Sequence, residues 1–181
     1  DEFMNNKDIS NIGSLIQKGE FFLAQKKIEE LISSNPNHTL ALSHLASVYE
    51  KQNNYEKALK IYLKLIQINP NNLEVLNNYS GGLIKLSRLD EAKKILKKIL
   101  KLNPKHINAI INLGVIYKDE NNFKKAIENY TLAINLHPGH IIAHYNLGTV
   151  YENHARLIEG TTQEVEKLNS AIYQYRKAIK N

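Results

Sequence analysis

The side chains best equipped for chemistry are seven histidines, a run of lysines and a set of evenly spaced asparagines. His140 and His144 stand one helical turn apart and could share one helical face as metal ligands. No carboxylate lies close in sequence to complete such a site, so neither a metal nor a cofactor is expected. His38, His106 and His140 instead share one position of a constant spacing, beside a proline, which suits a helix-start role. The absence of cysteine excludes a disulfide framework, a thiol nucleophile and a Cys-based zinc site. No paired carboxylates, Ser/His/Asp set or phosphate loop occurs in a suitable context, so the chain is not expected to be an enzyme. Lys93, Lys94, Lys97, Lys98 and Lys101 could form a basic stripe for nucleic acid or an acidic membrane. No aromatics are interleaved with them for base stacking. They read as a solvated face whose long stems cover apolar surface, and no nucleic-acid partner is expected.

The asparagines remain. Asn78, Asn112 and Asn146 follow His44 at one constant step, the same step that carries His106 to His140. A carboxamide offers both a donor and an acceptor, so each can pair with a peptide group of an extended ligand. Asn11 joins the series if the turn Gln17-Lys18-Gly19-Glu20 is one residue short.

The elements that must position these residues follow from the same period. Pro36, Pro70, Pro104 and Pro138 recur at that step throughout, the mark of a stacked array. The clearest unit is Ile107 to His140. Its first helix carries Ile110, Leu113, Gly114 and Tyr117 at i, i+3, i+4, i+7. Asn121-Asn122 breaks it. A second helix carries Phe123, Ala126, Ile127, Tyr130, Ala133 and Ile134 on one face and stops at His137-Pro138. Gly114 and Ala126 are small enough to let two helix backbones approach. One such hairpin cannot bury its own apolar face, so it must stack on neighbours.

This unit resembles the tetratricopeptide repeat, at Ile110, Leu113-Gly114, Tyr117, Ala126, Tyr130, Ala133 and Pro138. The tryptophan usual at the first offset is absent, and the chain has none. The resemblance implies an all-α fold, a right-handed α-solenoid of five stacked antiparallel helix hairpins. The repeats divide as 4–38 (irregular), 39–72, 73–106, 107–140 and 141–181, after a 1–3 segment that reads as a cloning remnant ahead of Met4. Without Asp1 and Glu2 the 24 basic residues face 16 acidic ones, a net charge of +8. The resemblance places the first helices on a concave groove that binds peptide segments. Asn11, His44, Asn78, Asn112 and Asn146 would then form a ladder up it, similar to the Asn-lined repeat region of O-linked N-acetylglucosamine transferase.

Neighbouring groove offsets read Ser10, Ser43, Asn77, Ile111, Tyr145, then Ser14, Ser47, Gly81, Val115, Thr149, then Lys7, Leu40, Glu74, Asn108, Ile142. The groove is expected to be polar toward the N-terminus and apolar toward Ile111 and Tyr145. Chaperone-binding relatives clamp a terminal carboxylate with basic residues at these offsets, and here only Lys7 is basic.

The expected function is a non-catalytic module that binds a protein or peptide. The alternative is the substrate-recognition arm of a larger enzyme, such as a glycosyltransferase, whose catalytic domain lies beyond Asn181. No apolar run approaches a membrane span, and a cytoplasmic location is the default.

The fifth repeat differs. Tyr151 and Ala171 correspond to Tyr117 and Ala126 of the unit before, but the chain between them is longer by an insertion of eleven. An insertion of that length is close to three helical turns. With Gly160 as a turn and Thr161 to Glu164 as a capping box, an elongated hairpin is expected, near Ile141–Glu159 and Thr162–Lys180. Leu157, Ile158 and Val165 near its tip are candidates for a second contact surface. The apolar stripe Val165, Leu168, Ile172, Tyr175, Ile179 on the last helix could support self-association.

Overall fold

The computed structural model describes residues 2–157 and 162–180, with side chains except at 2–8, 175 and 179. Ile158, Gly160 and Thr161 lie outside the described residues. The fold is all-α. In chain order the helices are α1 (Glu2–Gln17), α2 (Phe21–Ser34), α3 (Thr39–Lys51), α4 (Tyr55–Ile68), α5 (Leu73–Lys85), α6 (Leu89–Leu102), α7 (Ile107–Asp119), α8 (Phe123–Leu136), α9 (Ile141–Leu157) and α10 (Thr162–Lys180). Among the described residues no helix is long and apolar enough to cross a membrane.

Two kinds of turn alternate, and the sequence explains both. Inside the first four hairpins the chain reverses through a residue with positive φ: Gly19 (77°), Asn53 (57°), Ser87 (58°) and Asn121 (57°). The next backbone N–H then reaches back into the last helical turn, as Asn54 does to the Tyr49 carbonyl at 2.8 Å and Asn122 to that of Tyr117 at 2.7 Å. This closure satisfies carbonyls that the helix end leaves open. Asn54 and Asn122 also cap the following helix, their Oδ1 atoms accepting from Lys57 and Lys125 N–H.

The first turn is a correction to the sequence reading. Gly19, Asn53, Ser87 and Asn121 recur at the same step as the prolines, so the Gln17–Glu20 turn is full length. Glu20 N–H bonds the Leu15 carbonyl at 2.9 Å, the same closure as in the later turns. Glycine there meets the same left-handed requirement that Asn and Ser meet elsewhere. By turn register Ser10, not Asn11, is the equivalent of His44. The buried face of α1 still carries Ile12, Leu15 and Ile16.

Between hairpins the histidines begin helices. Nδ1 of His38, His106 and His140 accepts from the backbone N–H of Ala41, Ala109 and Ala143 at 3.3, 3.2 and 3.3 Å. Asn72 does the same for Val75 at 3.1 Å. Each satisfies one orphan donor of the first turn.

The chain divides into two compact units, residues 1–92 and 93–181. In the first, Ile12, Ala24, Ile28, Ala41, Leu45 and Val48 form one cluster. Ala58, Tyr62, Leu76 and Leu83 are buried as well. Gly82 faces Leu59, whose Cδ2 would lie 2.8 Å from an added Cβ. In the second unit the core is Ile110, Ile111, Phe123, Ala126, Tyr130, Ala133, Ala143, Leu147 and Val150. Each large side chain buried there contributes about 1.5–3 kcal/mol. A Cβ on Gly114 would stand 2.6 Å from the Tyr130 ring, so glycine here is what admits the aromatic.

Helix α9 has 17 residues and α10 has 19, against 13 for α7 and 14 for α8. The added turn of α9 brings His154 onto Phe123, with ring centroids 5.1 Å apart and planes 23° from parallel. At the offset of Leu42, Leu76 and Ile110 this hairpin has His144, buried to the same 1% exposure. Its ring bridges the Pro138 carbonyl (2.7 Å) and the Gln174 side chain (3.0 Å), tying α9 to α10. Both partners are oxygens, Oε1 of Gln174 at Nδ1 and the Pro138 carbonyl at Nε2, so whichever ring nitrogen carries the proton is the donor.

Candidate functional site

The first unit contains a cleft of about 490 Å³ walled by α3 and α5 and floored by α4. Its α3 wall presents Leu40, Ser43, His44 and Ser47, one residue from each successive groove offset. Opposite them stand Glu74 and Asn78 of α5. His44 and Asn78 thus line the same cavity. A second hollow of about 560 Å³ adjoins it, sharing His44 and Ser47 and bounded by Gly13, Phe21 and Lys51.

The cleft is also lined by two residues that the sequence did not point to, Tyr62 on the floor and Glu50 on the α3 wall. The Tyr62 hydroxyl donates to the Glu50 carboxylate. Tyr62 is only 4% exposed, so the bond joins a fixed ring to the carboxylate at the cleft wall. Burial pushes the Glu50 carboxyl up from its ordinary value, against the opposing pull of the Tyr62 bond and of Lys51. Burial also raises the Tyr62 phenol, and the charges of Glu50 and Glu74 push it the same way. Burial lowers His44, which favours its neutral imidazole. The sequence held one signal for Glu50. It stands in the last turn of α3, where the helix dipole disfavours an acid.

Asn11 is exposed on α1 and lines neither hollow. Asn77 and Ile111 are buried at 8% and 6% exposure. Asn112 and Asn146 are half-buried in the second unit. Asn108 is exposed and lines a hollow of about 320 Å³ with Lys105, His106, Ile107 and His140. Tyr145 and Ile142 are exposed on α9, at 56% and 59%. Leu157 and Val165 are 67% and 60% exposed. Among the described residues no group of three or more His, Asp or Glu side chains could hold a metal ion.

Three stretches match family models: residues 39–72 and 83–128 match models described as tetratricopeptide repeat, and 114–154 one described as TPR repeat. The fold is similar to that of MamA from Desulfovibrio magneticus RS-1, with a TM-score of 0.72 at 18% identity over 97% of this chain and 93% of that one. It is similar to YrrB, described as a TPR protein with an unusual peptide-binding site, with a TM-score of 0.68 at 20% identity over 99% and 94% of the two chains. Pseudomonas aeruginosa pilF gives a TM-score of 0.77 at 19% identity over 96% of this chain and 75% of that one. At these identities the likeness is one of fold. No curated protein matches the sequence.

Proposed function

The chain carries tetratricopeptide repeats, and from that premise we infer that it is a non-catalytic module that binds an extended peptide segment of a partner protein. The observation that carries this reading is the cleft of α3 and α5. It sets Ser43, His44, Ser47 and Asn78 around a space of about 490 Å³. These are neutral side chains that donate and accept, as a peptide main chain requires. Asn112 and Asn146, on α7 and α9 of the second unit, repeat the Asn78 spacing in the sequence. The peptide-binding site described for YrrB, which shares this fold, supports the same reading.

The test begins with short random peptides selected on the whole protein. For a selected peptide, Asn78→Ala should weaken binding by about 0.5–1.5 kcal/mol, the worth of one neutral hydrogen bond, with thermal unfolding unchanged. Equal affinity of the variant and the wild type would remove Asn78 from the site.

A further inference from the structure

The cleft of α3 and α5 is electrostatically one-sided. Glu50 and Glu74 are its formally charged lining residues, and both are negative. His44, the basic side chain on its wall, is favoured neutral by burial. Neither carboxylate takes part in an ion pair among the described residues. Lys51, next to Glu50, lines the adjoining hollow instead. Tyr62 lies within the influence of both acids and commits its proton to Glu50, which leaves the other carboxylate lone pairs for a ligand. The rest of the wall is neutral: Ser43, Ser47 and Asn78. A carboxylate pair at a protein-walled concavity is screened less than the same pair on an open surface.

The protein around this cleft is basic, with a net charge of +6. A cationic ligand is therefore disfavoured over much of the molecule and favoured here. We propose that the cleft selects peptides bearing a lysine or arginine, whose cationic end is held by Glu50 and Glu74 while Ser43 and Asn78 pair with the main chain. This rests on the peptide-binding reading above and adds the side-chain class that the cleft requires.

The experiment is the same selection of short random peptides on the whole protein, read for side-chain preference at each position. Lysine or arginine should be enriched at one fixed position. For a selected peptide, replacing that residue by glutamine should weaken binding to the wild type about tenfold. The wild-type affinity should fall as salt is raised. On a Glu50→Gln, Glu74→Gln double variant the glutamine replacement should change little. Glu50→Gln keeps an oxygen for the Tyr62 hydroxyl, so the floor should survive. If the double variant unfolds, Glu74→Gln alone, on an exposed residue, should still halve or further reduce the preference. Peptides selected without any basic preference, yet weakened by Asn78→Ala, would overturn this proposal and leave peptide binding standing. Failure to select any peptide would overturn both.

Discussion

Tyr62 of the second repeat and Tyr130 of the fourth occupy the same offset, and they serve different ends. Both rings are buried, at 4% and 0% exposure. The Tyr62 hydroxyl donates to Glu50 at the edge of a cleft. The Tyr130 hydroxyl is buried without a hydrogen-bond partner among the described residues. The fourth repeat has Lys118 at the Glu50 offset, and that lysine lies 3.7 Å from Asp119. The second difference lies across the hairpin. Ala46 stands at the offset of Gly114, and only the glycine lets the ring come so close that a Cβ would sit 2.6 Å away. One repeat uses its tyrosine as a polar anchor beside a surface. The other sacrifices the hydroxyl, at a cost of about 1–3 kcal/mol, to fill the hairpin core. A repeat offset thus fixes where a side chain stands without fixing its role.

The largest effect should come from forcing the second repeat's choice onto the fourth. Gly114→Ala drives a methyl into a rigid ring and should destabilise by about 1–3 kcal/mol in chemical denaturation. Combining it with Tyr130→Leu, the residue type that Leu96 shows at this offset, should return part of the loss. A simple sum of the two single effects would mean that the ring and the glycine do not compete.

Deleting the hydroxyls should separate the two tyrosines by sign. Tyr62→Phe removes a bond to a carboxylate that keeps some solvent, and should cost about 1–2 kcal/mol. Tyr130→Phe removes an unsatisfied group and should be neutral or stabilise by up to about 1 kcal/mol. Losses of equal size would erase the distinction.

A feature that the two repeats share should respond alike. His38→Ala and His106→Ala each remove a helix cap and should each cost about 1 kcal/mol by thermal or chemical denaturation. Asparagine at either position should hold stability near the wild type, since Asn72 already caps α5 this way.

The smallest effect concerns pH. Burial holds the Glu50 carboxyl above its ordinary value, so the folded protein takes up this proton at a higher pH than the unfolded chain. The contribution of Glu50 to stability is most favourable in acid and is lost as pH rises through the folded-state titration. Glu50→Gln should match the wild type in acid and exceed it slightly at neutral pH. A gap that grows on acidification would reverse the sign assigned here.

Much of the fold was legible because its signals are local. Four prolines at one spacing, the Asn and His residues beside them, and apolar stripes at helical period each act within a turn or two of chain. His38, His106 and His140 could be read as helix starts rather than ligands because a cap contacts only the residues that follow it. The first turn was misread because Gly19 replaces the polar residues of the later turns, while the left-handed geometry that unites the four is a backbone property.

The sequence by itself determined the repeat, the helices, the caps and the small residues at helix crossings, because each follows from short-range sterics and hydrogen bonding. Only the tertiary structure decided which groove offsets are open. Ser43, Asn77, Ile111 and Tyr145 share one offset, yet the middle two are buried and the outer two exposed. That offset lies at the margin of the apolar stripe, so its exposure depends on how closely packed neighbours cover it, and no local pattern encodes that distance. The same holds for the Glu50–Tyr62 pair. It joins residues on α3 and α4 through side chains that meet only once the two helices have packed, and with Glu74 from α5 it gives the cleft its charge.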